Sequence, residues 1–81
     1  MGMSRKDALK RMHGLLPRVL EHLRKLKDDP DHESANHWRG ETCTWIRTME
    51  ASLDSVGRKT AEEWQAQLDS FRDQLGETCD D

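Results

Sequence analysis

Residues Ser34–Gly57 read SANHWRGETCTWIRTMEASLDSVG, and the spacing of the apolar side chains in this stretch decides the fold. Trp38, Thr42, Trp45 with Ile46, Met49, Leu53 and Val56 recur at intervals of three and four, which lines them along one helical face. Ser34 is suited to cap the start, because its hydroxyl can accept from an amide that has no partner in the first turn. Gly57 is suited to end it, because it takes a left-handed conformation without a Cβ clash. Two of the chain's three tryptophans lie on this face. That is more apolar surface than one helix can hide, so the flanking segments must supply matching faces.

They do. On the N-terminal side, Ser4 and Asp7 resemble a capping box and open a first helix. Leu9, Met12, Leu16, Val19, Leu23 and Leu26 follow at spacings of three and four, a heptad seam. Gly14 and Pro17 interrupt it. Pro17 has no amide hydrogen and crowds the carbonyl of His13, so a kink there is expected, with the seam's phase unbroken across it. Asp28-Asp29-Pro30-Asp31 ends the helix, and the short loop to Ser34 returns the second helix antiparallel to the first. On the C-terminal side, Thr60 to Glu63 reads as a capping box for a third helix carrying Ala61, Trp64, Leu68, Phe71 and Leu75, stopped by Gly76. The expected fold is all-α, a small antiparallel three-helix bundle whose first helix is kinked at Pro17. One domain is expected over 4–76, between a disordered 1–3 and a flexible acidic tail at 77–81. Leu16, Leu23, Trp45, Met49, Leu68 and Phe71 are expected to bury one another.

Composition sets limits on this bundle. Leu, Ile, Val and Phe make up only 13 of the 81 residues, so the core is thin and a partner or self-association is a natural source of extra stability. The formal net charge is −3, but it is divided unevenly. Residues 1–27 hold eight Lys/Arg against Asp7 and Glu21, a net of +6; residues 28–81 hold five Lys/Arg against fourteen Asp/Glu, a net of −9. No apolar run approaches the ~20 residues of a membrane span, and residues 1–27 lack the hydrophobic core of a signal peptide. Cys43 and Cys79 form no framework or metal spacing, so a reduced, cytoplasmic protein is the simplest expectation.

The chemical motifs are weak. His32, Glu33 and His37 share residue types with a zinc-protease helix, but the histidines are five apart and diverge by about 140°. Asp28, Asp29, Asp31 and Glu33 match a calcium loop in composition only, since Ser34 and Gly40 stand where Gly and Glu are needed. Cys43 sits beside the apolar stripe without a neighbouring histidine and reads as a filler thiol. No nucleophile and base are placed together. The expectation is therefore a non-enzyme with no catalytic residue, no cofactor and no metal.

One feature rises above this background. With Leu9 at heptad position a, Lys10 and Arg24 fall at b, and Arg11, Arg18 and Lys25 at c, on the solvent side of the first helix. Such a basic set binds phosphates or an acidic protein surface, or is simply solvated. Trp38, near an open end of the bundle, is the second candidate, because a part-exposed Trp is a common hot spot. Lys10, Arg11, Arg18, Arg24, Lys25 and Trp38 are thus the expected partner-binding residues.

Val19-Leu20-Glu21-His22-Leu23-Arg24-Lys25-Leu26, then Pro30, Trp38, Ile46 and Leu53-Asp54-Ser55, carry a resemblance. The segment from Leu16 to Phe71 resembles the C-terminal half of a bacterial helical family catalogued as domain of unknown function 29. The resemblance implies a helical bundle from a bacterium, phage or mobile element, and it brings no catalytic residue. A protein partner is the first functional expectation, with self-association beside it. A nucleic-acid-binding module using the basic face is the alternative, disfavoured because the acidic remainder repels a phosphate backbone. The size and charge also fit a small phage-encoded inhibitor such as an anti-CRISPR protein, with no motif in support.

Overall fold

The computed structural model describes residues 4–76, so the expectations for 1–3 and 77–81 lie outside the described residues. Three helices follow one another: α1 (Arg5–Asp28), α2 (Ala35–Ala51) and α3 (Arg58–Leu75), with a 3-10 turn at Leu53–Ser55 between the last two. There is no strand among the described residues. The all-α bundle expected from the periodicity is the fold observed. At 1.5 Å per residue, the 24 residues of α1 span roughly 36 Å, which sets the 40 Å long axis of the molecule.

α1 begins where its cap is. Ser4 is extended and its Oγ accepts from the Asp7 amide at 3.1 Å. The helix then runs through Gly14 and Pro17 without a break. His13 and Pro17 are both exposed, so water can reach the carbonyl that the proline cannot serve. α2 packs mainly on α1, and residue pairs such as Lys25 with Trp38 and His22 with Trp45 run in opposite directions along the two helices. α3 rejoins α1 in parallel, with Arg5 donating to Thr60 and His13 against Trp64.

The helix ends depart from the sequence reading in three places. Ser34 occupies the N-cap position of α2, but its hydroxyl caps nothing; instead its amide donates to His32 Nδ1 at 2.9 Å. α2 stops at Ala51 rather than continuing to Gly57. Ser52 turns back, its hydroxyl donating to the Thr48 carbonyl at 3.1 Å and its amide to Met49 at 3.0 Å. Ser and Asp favour such local bonds over a continuing helix. Leu53 and Val56, three apart, fit a 3-10 repeat as well as an α-helical one, so the apolar pattern hid the change. Gly57 then opens α3 with φ 88°, a conformation that favours glycine, and the Thr60–Glu63 box is absent because both residues already lie inside the helix. The stop at Gly76 is as expected, left-handed at φ 73° with its amide on Arg72 and Asp73.

The core is assembled from all three seams. Met12, Val19, Leu23 and Leu26 of α1 are buried with Ile46 and Met49 of α2, Val56, and Trp64, Leu68, Phe71 and Leu75 of α3. Ala8 is also fully buried, an alanine that the seam of larger residues did not reveal. Leu16 and Trp45, expected in the core, are only half-buried. Trp45 and Ile46 are adjacent and so about 100° apart on the helix; Ile46 takes the core position and pushes Trp45 to the edge. Leu20 is 47% exposed. α2 and α3 are tied by a half-buried ion pair, in which both guanidinium nitrogens of Arg72 donate to the Glu50 carboxylate.

Cys43 corrects the expectation of a free filler thiol. It is buried and disulfide-bonded; Cys79, the chain's other cysteine, lies outside the described residues. Disulfides persist in oxidising surroundings, so the thiols no longer argue for a reducing compartment. No helix among the described residues is long and apolar enough to cross a membrane.

Candidate partner-binding face

The five basic residues of α1 are all exposed, but they do not form one face. Positions b and c differ by one residue, which is about 100° of helix rotation. Arg11, Arg18 and Lys25, seven apart, form one line along α1; Lys10 and Arg24 lie on another. The packing fixes which line matters. His22, which shares the side of Arg18 and Lys25, meets α2 at Glu41 and Trp45, whereas His13, on the other side, meets α3 at Trp64. The Arg11–Arg18–Lys25 line therefore borders the α1–α2 seam. Lys10 and Arg24 point away from it, and Arg24 pairs with Asp28 on its own helix at 3.9 Å. The single five-residue face expected from the heptad is corrected to two.

Trp38 joins the first line. Lys25 Nζ lies 5.6 Å from the centre of its ring, a cation–π distance. His32 stacks on the same indole with centroids 4.6 Å apart and planes 23° from parallel. Two turns further on, the half-buried Trp45 packs edge-to-face with His22, ring centroids 4.7 Å apart. Between the two indoles, Glu41 Oε1 is shared by His22 Nε2 at 3.3 Å and His37 Nε2 at 3.1 Å. Arg11 and Arg18 make no ion pair among the described residues, while Lys25 reaches Glu21 at 3.5 Å, an exposed contact of little energetic worth.

The α1–α2 side thus presents a row of cations beside two part-covered tryptophans and a His–Glu–His cluster. Sequence reasoning found Arg11, Arg18, Lys25 and Trp38 but missed His22, His37, Glu41 and Trp45. His37 and Glu41, four apart on one helix, were a readable signal. His22 was not, because its partners depend on the register between α1 and α2.

Among the described residues no group of three His, Cys, Asp or Glu is arranged to hold a metal ion. A cleft of ≈ 350 Å³ where α1, α2 and α3 meet, lined by Leu23, Leu26 and Leu75 with Lys27 and Arg39, is at the lower end of ligand-pocket sizes, which run from about 300 Å³. Comparison with known families, with curated proteins and with solved structures finds no match. The functional reading therefore rests on this geometry.

Proposed function

We propose that the chain is a non-enzymatic interaction domain that docks an acidic protein surface on the α1–α2 face, with Arg11, Arg18, Lys25 and Trp38 as its contacts. The observation that carries the reading is Lys25 over Trp38, which joins the basic line to a tryptophan edge. Charges beside a part-covered aromatic ring are the composition of a protein-binding hot spot, in which the ring supplies area and the charges supply orientation and rate.

Single-stranded nucleic acid is the competing ligand for a basic and aromatic surface, and it binds by stacking bases on open rings. Here His32 covers one face of Trp38 and the Lys25 ammonium lies over the ring, so a base would have to displace them. That favours protein. A small phage- or mobile-element-encoded inhibitor is one setting in which such a domain works, and its target is then the acidic partner. Self-association would use the same face against acidic residues of a second copy.

The test is the variant Arg11→Glu, Arg18→Glu, Lys25→Glu. All three side chains are exposed, so the variant keeps its helical circular dichroism. Capture of host proteins by the wild type, read by mass spectrometry, supplies the partner, and titration then compares affinities. At least a tenfold loss is expected, about 1.4 kcal/mol. Unchanged affinity in the folded variant, or wild-type binding to DNA or RNA alone, overturns the proposal.

A further inference from the structure

We infer that acidification strengthens docking on this face, through the two histidines that share Glu41. The inference rests on the reading above, that the α1–α2 face meets an anionic partner. Glu41 is the one carboxylate set between the two tryptophans, and it offsets part of the positive row formed by Arg11, Arg18 and Lys25. His22 from α1 and His37 from α2 both aim Nε2 at the same oxygen, Oε1, at 3.3 and 3.1 Å. Imidazole is the side chain that ordinarily gains a proton between about pH 8 and pH 5. With both rings neutral the cluster carries −1; with both protonated it carries +1. Nε2–H donates to Glu41 in either state, so the change in charge does not require the cluster to rearrange.

On α1, Arg18 and Lys25 flank His22 within one turn, while Glu21 is next to it in sequence and already engaged by Lys25. From α2, Glu41 is the charge that faces it. His22 Nδ1 is buried with no hydrogen-bond partner among the described residues, so a proton there has no acceptor. His37, whose side chain is 73% exposed, leaves its other ring nitrogen open to water. His32 makes a different contact, its Nδ1 accepting from the Ser34 amide. His13 lies on the other side of α1 against Trp64 and serves as an internal control.

A labelled polyaspartate peptide, which stays anionic through this range, is the probe for affinity at about pH 8 and about pH 5.5. Exposed charge pairs are individually worth up to a few-fold in affinity, so the charge added at His37 should tighten wild-type binding roughly threefold on acidification. His37→Gln should lose most of that gain, and His13→Gln none of it. Glu41→Gln removes the offsetting charge without touching either histidine and should bind more tightly than wild type at about pH 8. Circular dichroism at both pH values confirms that each variant is folded. Equal wild-type affinity at the two pH values, or a gain that survives in His37→Gln and vanishes in His13→Gln, overturns the pH inference while leaving the docking reading in place. Failure of the wild type to bind the peptide at either pH overturns both.

Discussion

Leu68→Ala is expected to lower the thermal midpoint by at least ~10 °C, the largest effect of any single change considered for this chain. Leu68 is fully buried on α3, in the core with Trp64, Phe71 and Leu75. Truncating such a leucine removes its transfer energy and leaves a cavity, at about 2–5 kcal/mol. A small domain with a thin core has a total stability of roughly 5 kcal/mol. At the upper end of that cost the variant is largely unfolded at room temperature, and loss of the helical signal replaces the shifted midpoint. The comparison is Leu20→Ala, whose side chain is 47% exposed and whose cost should stay within about 0.5 kcal/mol. Leu16→Ala should fall between them, since Leu16 is only half-buried. Equal midpoints for Leu68→Ala and Leu20→Ala would contradict the assigned core.

The second large effect lies where α2 meets α3. Arg72 donates from both terminal nitrogens to Glu50, and Gln65 donates to the same carboxylate at 3.3 Å. The hydrogen bonds from Arg72 hold the Glu50 carboxyl below its ordinary value of 4.5, against an upward push from burial, with Gln65 adding to the lowering. Glu50→Gln keeps the shape and removes the negative charge to which both terminal nitrogens of Arg72 donate. Charged hydrogen bonds of this kind contribute about 1.5–3 kcal/mol, which is on the order of 10 °C in a domain of this length.

The sign with pH follows from the lowered folded-state pKa. The carboxylate's contribution is fully present above the unfolded value and is lost as pH falls through the folded one. The gap in midpoint between wild type and Glu50→Gln should therefore be wide at neutral pH, narrow as pH falls below 4.5 and close only below the lowered folded-state value. Glu21→Gln, which removes an exposed pair with Lys25, should show little gap at any pH. A gap for Glu50→Gln that persists unchanged into acid would mean the carboxylate's charge is not what ties these helices.

How much was legible in the sequence depends on the length over which a pattern repeats. The seams of α1 and α3 were readable because six and five apolar residues keep one phase, and most of those residues are buried as expected. The ends of α2 were not, because single residues decide them. Ser34 could cap by its hydroxyl, yet its backbone sits at φ −93°, ψ 4° rather than extended, and the hydroxyl makes no cap bond. Ser52 could continue the helix, yet it bonds back to Thr48. The candidate face was half legible. A step of seven identified the line Arg11, Arg18 and Lys25, but only the packing of α1 on α2 set that line beside Trp38 and separated it from Lys10 and Arg24. The Cys43 disulfide was not legible at all, since spacing along the chain says little about which thiols meet.

The three tryptophans give the most direct test of the docking face, because each indole N–H contributes its own resonance. Trp38 and Trp45 lie half-buried along the α1–α2 seam, whereas Trp64 is buried in α3 against His13 on the other side of α1. Two-dimensional ¹⁵N–¹H spectra recorded during titration with the captured partner should show the Trp38 and Trp45 indole peaks moving together with the amides around Arg18 and Lys25, while Trp64 stays in place. Movement of the Trp64 peak with Trp38 and Trp45 unmoved would put the partner on the α1–α3 side and contradict the assignment.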